Sequence, residues 1–264
     1  MLSGCDRRCR CLMLGGVSFH GQVALVTGAT QGIGQATAML LAARGAHVVA
    51  TGRDHERGGR VVDDIRAAGG TADFVAATLA DADSCGRLAA EAIEVAGDVD
   101  ILVNNAAIAV FGATASIPEA DFDACYALNV KVPFYLVGAL APGMVSRGHG
   151  VIVNVSTMVA SLGTVGSAVY ASSKAALNLL TKSWAAEYGP RGVRVNAVAP
   201  GPTLTEGTSA AFGEDGLNAL AAKAPARRVA SPNEIAETIA FLASDHASFI
   251  HGAVLPADGG RTAV

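Results

Sequence analysis

The chain predicts an α/β fold, a single doubly wound domain with a parallel seven-stranded sheet flanked by helices. Three observations lead there. From Gln22 onward, short apolar runs alternate with amphipathic stretches, the pattern of repeated strand–helix units. Most of the runs are rich in Val and lack in/out alternation, as strands covered on both faces require. The first run passes straight into a glycine-rich turn and then a helical stretch.

Taken in order, the predicted strands are Val23–Val26, His47–Thr51, Ala72–Ala76, Ile101–Val103, Val151–Val155 and Val193–Val198, with a weaker seventh at Ala253–Leu255. Helices are predicted between and after them over Gly32–Arg44, Asp54–Ala68, Asp81–Val95, Pro118–Ser146, Ala168–Tyr188 and Pro232–Ser244. Pro133 and Pro142 should bend or break the fourth of these, because proline lacks the N–H that an inner helical turn needs. No internal repeat or low-complexity linker interrupts the series, so residues 20–264 read as one domain.

Composition narrows the function classes. The 264 residues are 51% hydrophobic and only 5% aromatic, so the core is built from Ala, Val, Leu and Ile. A net charge of −4 gives no basic surface for nucleic acid. Apolar runs are broken by charge or glycine before 18 residues, so no membrane-spanning helix is expected. Residues 1–19 carry Arg7, Arg8, Arg10 and the cysteines Cys5, Cys9 and Cys11, with little periodicity. Too short in its apolar part for a signal peptide, this extension reads as disordered. Its cysteines lack histidines at ligand spacing, and no metal is expected. Cys85 and Cys125 read as buried small hydrophobes, in keeping with a reducing cytoplasm.

The turn after the first strand, Thr27-Gly28-Ala29-Thr30-Gln31-Gly32-Ile33-Gly34, has the spacing G-x-x-x-G-x-G. Glycines there let the backbone approach a pyrophosphate, and the helix start offers free N–H groups and a positive dipole end. Glycines also serve tight turns, but this cluster stands between a strand and a helix at the start of a βαβ unit, so a Rossmann-type domain with a dinucleotide cofactor is expected. The second strand ends at Thr51-Gly52-Arg53. A carboxylate near that point would hold a ribose 2′-hydroxyl and repel a 2′-phosphate. Gly52 and Arg53 instead favour the phosphate, so NADP is expected over NAD. Asp54 could neutralise Arg53 or cap the following helix.

Tyr170 and Lys174 are spaced i, i+4 in a helical stretch, which puts phenol and ammonium on one face. A nearby cation would favour the ionised phenol and lower a pKa that is otherwise near 10. With the glycine loop, this pair resembles the short-chain dehydrogenase/reductase family over about Gly21 to Gly260, 3-oxoacyl reductase-like and tropinone reductase-like members in particular. Asn104-Asn105-Ala106-Ala107 resembles that family's N-N-A-G motif, and Asn129 its catalytic asparagine. Pro200-Gly201-Pro202-Thr203-Leu204-Thr205 resembles its P-G-x-x-x-T segment, and Phe241–Ser244 and Asp258-Gly259-Gly260 also fit.

The resemblance implies interconversion of a ketone and a secondary alcohol by hydride transfer. Tyr170 would be the acid/base, while Lys174 would lower its pKa and hold the nicotinamide ribose. Asn129 would anchor a relay water. Cofactor contacts would come from Gly28, Thr30, Gln31, Gly32, Ile33, Gly34, Arg53, Leu79, Asn105, Ala106, Pro200, Gly201, Thr203 and Thr205, besides Tyr170 and Lys174. The family's serine stands 13 residues before the tyrosine, where this chain has Thr157, preceded by Ser156. Thr157 takes the role here, with Ser156 as the alternative. A homotetramer or homodimer is implied, with the alanine-rich helices around Pro118–Ser146 and Ala168–Tyr188 pairing between subunits.

Asn104, Asn105 and Asn129 have a plainer reading as turn formers and backbone partners. The alternative function is a catalytically weak, NADP-sensing protein on the same fold. Thr203 to Arg227 should form a lid. Ile108, Met158, Val159 and Val165 should face an apolar or mixed substrate, and no cluster of Arg or Lys marks a strongly anionic one.

Overall fold

A computed structural model describes residues 17–264. Strands β1 (Val23–Thr27), β2 (His47–Gly52), β3 (Thr71–Ala76), β4 (Ile101–Asn104), β5 (Gly150–Val155), β6 (Val193–Pro200) and β7 (Val254–Ala257) form one sheet in the order β3-β2-β1-β4-β5-β6-β7. Every pairing is parallel. The helices are α1 (Gly32–Ala43), α2 (His55–Ala67), α3 (Ala82–Ala96), α4 (Glu119–Tyr126), α5 (Val132–Arg147), α6 (Ala168–Tyr188), α7 (Glu206–Ala221) and α8 (Pro232–Ala243).

Successive strand residues point to opposite faces, and both faces are covered. Ala24, Val26, Val48 and Val103 pack with Leu41 of α1, Val61 and Ile65 of α2, and Ile235 and Ile239 of α8. Leu25, Val49, Leu102 and Ile152 pack with Leu88 of α3, Leu136 of α5, and Leu177 and Trp184 of α6. Two buried apolar faces explain why the strands read as unbroken Val-rich runs. The strand order reverses between β1 and β4, and in such sheets the crevice outside the strand ends at that point is the ligand site. On the far side of the sheet, Arg194 of β6 is buried and donates to the carbonyls of Leu242, Ala243, Ser244 and Ala247, closing the C-terminal end of α8.

The structure differs from expectation at four places. The stretch Pro118–Ser146 divides at a π-helical turn, Ala127–Lys131, rather than at Pro142. Pro133 follows that π turn in a backbone that stays helical from Glu119 to Arg147, so its missing N–H falls where the hydrogen-bond register changes. Helix α7 was not foreseen, because its glycines weaken the helical signal, and Gly213 interrupts it with φ +65°. Phe19 is buried at 1% exposure and donates its N–H to the Arg44 carbonyl at 2.8 Å, so packing begins before residue 20. Lastly, Glu119–Arg147 taken as one stretch is long and apolar enough to cross a membrane by composition, although 44% of its most apolar window is buried inside the protein. The expectations for Cys5, Cys9 and Cys11 lie outside the described residues. Cys85 and Cys125 are buried free thiols, and burial pushes the Cys85 thiol up to about 11.

Candidate active site

The glycine loop lies between the end of β1 and the start of α1. Gly34 packs so tightly that a Cβ there would stand 2.2 Å from the Gly28 carbonyl oxygen. Gly28 and Gly32 adopt φ of +63° and +55°, a region open to glycine and strained for other residues. Asn105 locks the loop from β4, donating Nδ2 to the carbonyls of Thr27 (2.8 Å) and Gly28 (3.1 Å). Thr27 Oγ1 in turn accepts the N–H groups of Asn105 and Ala106, both at 3.0 Å. Asn105 therefore holds the loop in shape, which is the plainer of its two sequence readings. Asn104 is further still from cofactor contact, since it donates to Asn154 Oδ1 inside the sheet at 2.9 Å.

The loop opens on a cavity of about 430 Å³ lined by Gly28, Thr30, Gln31, Gly32, Ile33, Arg53, Leu79, Asn105, Ala106 and Thr205, among others. Gln31 at the N-cap of α1 makes no side-chain cap, and no acid lies in the first turn. The first amides of α1 are thus left for an outside anion, the arrangement that a dinucleotide pyrophosphate requires. At the ribose end, a Cβ on Gly52 would stand 2.6 Å from Thr30 Cγ2, so no carboxylate fits at that position without a shift. Arg53 is exposed at the cavity edge and has no side-chain hydrogen bond or ion pair among the described residues. Asp54 caps α2, accepting from Arg57 N–H at 3.0 Å, which settles its two readings for the cap.

Arg57 was missed by the sequence reading. Its Nη1 donates to Gln31 Oε1 at 2.7 Å and to Glu206 Oε2 at 2.8 Å, joining the loop to the start of α7. Only tertiary folding brings residues 31, 57 and 206 together, so the sequence carries no local signal for the link.

A second cavity of about 690 Å³ adjoins the first and shares Ile33, Asn105, Ala107, Thr205 and Gly207 with it. Ser156, Thr157, Tyr170, Lys174, Pro200, Gly201 and Thr203 also line it. Tyr170 and Lys174 come from the first turns of α6, while Ser156 and Thr157 follow β5. Burial pushes the Tyr170 phenol up to about 12, with the Thr157 hydroxyl pulling partly the other way. The expected lowering by Lys174 is therefore absent from the protein alone. Lys174 is itself buried, which brings its ammonium down to about 8, and Nζ donates to the Val155 carbonyl at 2.8 Å. At neutral pH the phenol holds its proton and can give it to an oxygen in the cavity.

Asn129 sits in the π-helical turn, fully buried. Its Oδ1 accepts from Ile108 N–H (2.9 Å), and its Nδ2 donates to the Ile108 carbonyl (2.8 Å) and to Ser173 Oγ (3.0 Å). Through these bonds the side chain braces the Ile108 segment against α6. Thr157 caps a short turn over Met158–Ser161. Ser156 Oγ is buried and unpartnered among the described residues. Thr203 Oγ1 donates to the Gly201 carbonyl, and Thr205 caps α7 through Thr208 N–H.

Of the expected substrate contacts, Met158, Val159 and Val165 line the larger cavity, while Ile108 lines the smaller one. Phe111 and Phe212 were not foreseen. Phe111 meets Tyr170 edge-on with ring centres 5.7 Å apart, and Phe212 meets Phe111 at 5.4 Å. Lys223, from the expected lid segment, and Arg261, which was not foreseen, also line the larger cavity.

Residues 28–262 match the family described as Enoyl-(Acyl carrier protein) reductase. The chain is 42% identical to cis-4-hydroxycyclohexanecarboxylate dehydrogenase of Sinomonas cyclohexanicum, covering 94% of this chain and all of that one. A 3-oxoacyl-(acyl-carrier-protein) reductase of Thermotoga maritima is 37% identical over 91% of this chain and 98% of its own length. Among solved structures, a short chain dehydrogenase/reductase family protein is 50% identical, with a TM-score of 0.86 and coverage of 93% of this chain and 99% of that one. A structure described as an NAD(P) dependent gluconate 5-dehydrogenase from Beutenbergia cavernae, with NADP bound at low occupancy, is 38% identical with a TM-score of 0.89, covering 94% and 99%.

Proposed function

The chain is a dehydrogenase/reductase of the short-chain dehydrogenase/reductase family, and from that premise we propose that it interconverts a ketone and a secondary alcohol with NADP(H) as its preferred cofactor. The observation that carries this reading is the Tyr170 phenol, protonated and lining an apolar cavity that adjoins the glycine-loop cleft. The fit of the cleft to a dinucleotide rests on the uncapped start of α1 and on the space kept clear at Gly34 and Gly52. Bound NADPH would supply hydride to the carbonyl carbon.

The chain's own residues do the rest. Tyr170 gives its proton to the carbonyl oxygen, and Thr157 donates a second hydrogen bond to the same oxygen. Lys174, held in place by the Val155 carbonyl, sets its charge close to the cofactor ribose. Asn129 fixes the floor of the site through Ile108 and Ser173. In the oxidative direction the phenolate takes the alcohol proton. Arg53 receives the 2′-phosphate, with no carboxylate at Gly52 to oppose it.

The assignment of NADP draws support from a similar structure with NADP bound, and that of a carbonyl substrate from relatives named for 3-oxoacyl and cyclic hydroxy compounds. The protein acts in the cytoplasm as a homotetramer, in which α5 and α6 pair with their copies. Exposed Phe134 and Tyr135 on α5 and Leu179 on α6 give those helices apolar surface to bury.

The test is Tyr170→Phe. Turnover of a ketone panel with NADPH should fall by at least about 10²-fold, while NADPH binding followed by fluorescence stays within a few-fold. Turnover close to wild type would remove Tyr170 from the chemistry. Failure of the wild type to turn over any ketone or alcohol, with NADPH still bound, would favour the cofactor-sensing reading.

A further inference from the structure

The larger cavity is apolar around Tyr170, where Phe111, Met158, Val159, Phe212 and Leu217 line it. Its lining includes no Asp or Glu. Apart from Lys174, the charged groups that reach it are Lys223 and Arg261, which lie 38 positions apart in the chain. Folding brings their segments into contact. Ala226 donates its N–H to the Gly259 carbonyl at 3.0 Å, and a Cβ on Gly260 would stand 2.9 Å from Pro225. The turn carrying Arg261 packs on the Met158–Ser161 turn that follows Thr157.

The lining of the cavity offers neither cation an Asp or Glu side chain to pair with. Asp258 is the acid closest in sequence to Arg261, but its Oδ2 is taken by Thr262 N–H (2.8 Å) and the Thr262 hydroxyl (2.6 Å), and its Oδ1 by Gly260 N–H (2.9 Å). Burial pushes this carboxyl up, but those hydrogen bonds together hold it below the usual carboxylate range. Arg261 donates Nη1 to a main-chain oxygen of Val264, the last residue of the given sequence, at 3.2 Å, and its Nε and Nη2 have no partner among the described residues. Lys223 has no side-chain hydrogen bond or ion pair among the described residues. An exposed lysine and a half-buried arginine that line one cavity with no Asp or Glu in its lining have donors left for a ligand.

Resting on the reductase reading above, we propose that the substrate is a ketone or alcohol with an apolar body and an anionic group, a carboxylate or a phosphate monoester, received by Lys223 and Arg261. The carbonyl lies at Tyr170, the body against Phe111 and Phe212, and the anion at the pair of cations. This sets the orientation of the substrate, because only one end of it matches the charged rim.

The test compares a cyclic keto carboxylate, its primary amide and a keto phosphate monoester of similar size, using the full chain saturated with NADPH. The wild type should give the amide a KM roughly ten-fold or more above that of one of the anions, the effect of losing a charged hydrogen bond. Whichever anion is preferred identifies the group. Lys223→Met with Arg261→Met should erase the preference by raising the anion's KM, with kcat nearly constant and the amide unaffected. Equal KM values for all three in the wild type, or a double variant that raises them all alike, would overturn the proposal.

A second measurement does not depend on turnover. Calorimetry of the enzyme–NADP complex with an unreactive cycloalkane carboxylate and its amide should show about ten-fold tighter binding of the acid, lost in the double variant. That result with no ketone turned over would sink the reductase reading and leave the anion site standing. Equal binding of acid and amide would sink the anion site whatever the turnover.

Discussion

Lys174 donates its ammonium to the Val155 carbonyl at 2.8 Å, and only 1% of the residue is exposed. One neutral acceptor cannot replace water around a cation, which is why the group falls from 10.5 to about 8. The folded value is the lower one, so the unfolded chain holds this proton more tightly. The Lys174 contribution to stability is therefore present above the unfolded value of 10.5 and lost as pH falls through about 8. Relative to Lys174→Met, the cofactor-free wild type should gain stability between pH 8 and 10, by an amount on the order of 3 kcal/mol at the limit. Urea midpoints of both proteins across that range check it. A constant difference would mean that Lys174 is solvated in the free protein.

Gly34→Ala should damage the cofactor cleft directly. The added Cβ would overlap the Gly28 carbonyl oxygen, which is backbone and cannot rotate away. Forced packing of this kind costs about 1–3 kcal/mol, and relief requires the loop to open away from α1. Melting temperature should drop, and NADPH affinity should fall more than the stability loss alone would suggest. Gly86, an exposed glycine of α3 with nothing near its virtual Cβ, supplies the control. If Gly34→Ala and Gly86→Ala behaved alike, the close approach at Gly34 would not matter.

Much of this site was legible in the chain, and the parts that were share a physical property. The glycine loop, the Tyr170–Lys174 pair and the strands are local patterns, fixed by φ, by helical spacing and by burial on two faces. Arg57, Phe111, Phe212 and the neighbours Lys223 and Arg261 are meeting points of distant segments, and no local pattern encodes them. The Tyr170 pKa was misjudged for a related reason. Spacing places a cation nearby, but desolvation of the phenol depends on the whole cavity. The α7 helix was hidden by its glycines, although its Thr205–Thr208 capping box was present in the sequence to be found.

Cofactor choice rests on two arginines that differ in what they already hold. Arg57 is joined to Gln31 and Glu206, whereas Arg53 is unengaged among the described residues. Arg53→Ala should therefore weaken NADPH by roughly ten- to hundred-fold and change NADH little. Arg57→Met breaks an ion pair of two well-exposed groups, so it should change stability little. Titrating both cofactors against each variant distinguishes the roles. Equal losses for NADH and NADPH in Arg53→Ala would make that residue structural and remove the basis for an NADP preference.

Thr157 and Ser156 compete for one catalytic part, and their surroundings separate them. Thr157 follows the end of β5, caps the Met158–Ser161 turn and has its hydroxyl close enough to Tyr170 to draw its pKa down. Ser156 lies one residue earlier, 3% exposed, with Oγ unpartnered among the described residues. A hydroxyl that stabilises the substrate oxygen in the transition state contributes about 10²–10³-fold, so Thr157→Ala should lose turnover on that scale. Thr157→Ser keeps the hydroxyl and frees χ1, so it should retain most of the rate. Ser156→Ala removes a buried hydroxyl that has no partner, and should leave turnover within a few-fold while holding or raising stability by about 1 kcal/mol. Steady-state rates and thermal melts of the three variants decide the matter. A large loss in Ser156→Ala with a mild one in Thr157→Ala would reverse the assignment and place the catalytic hydroxyl on Ser156.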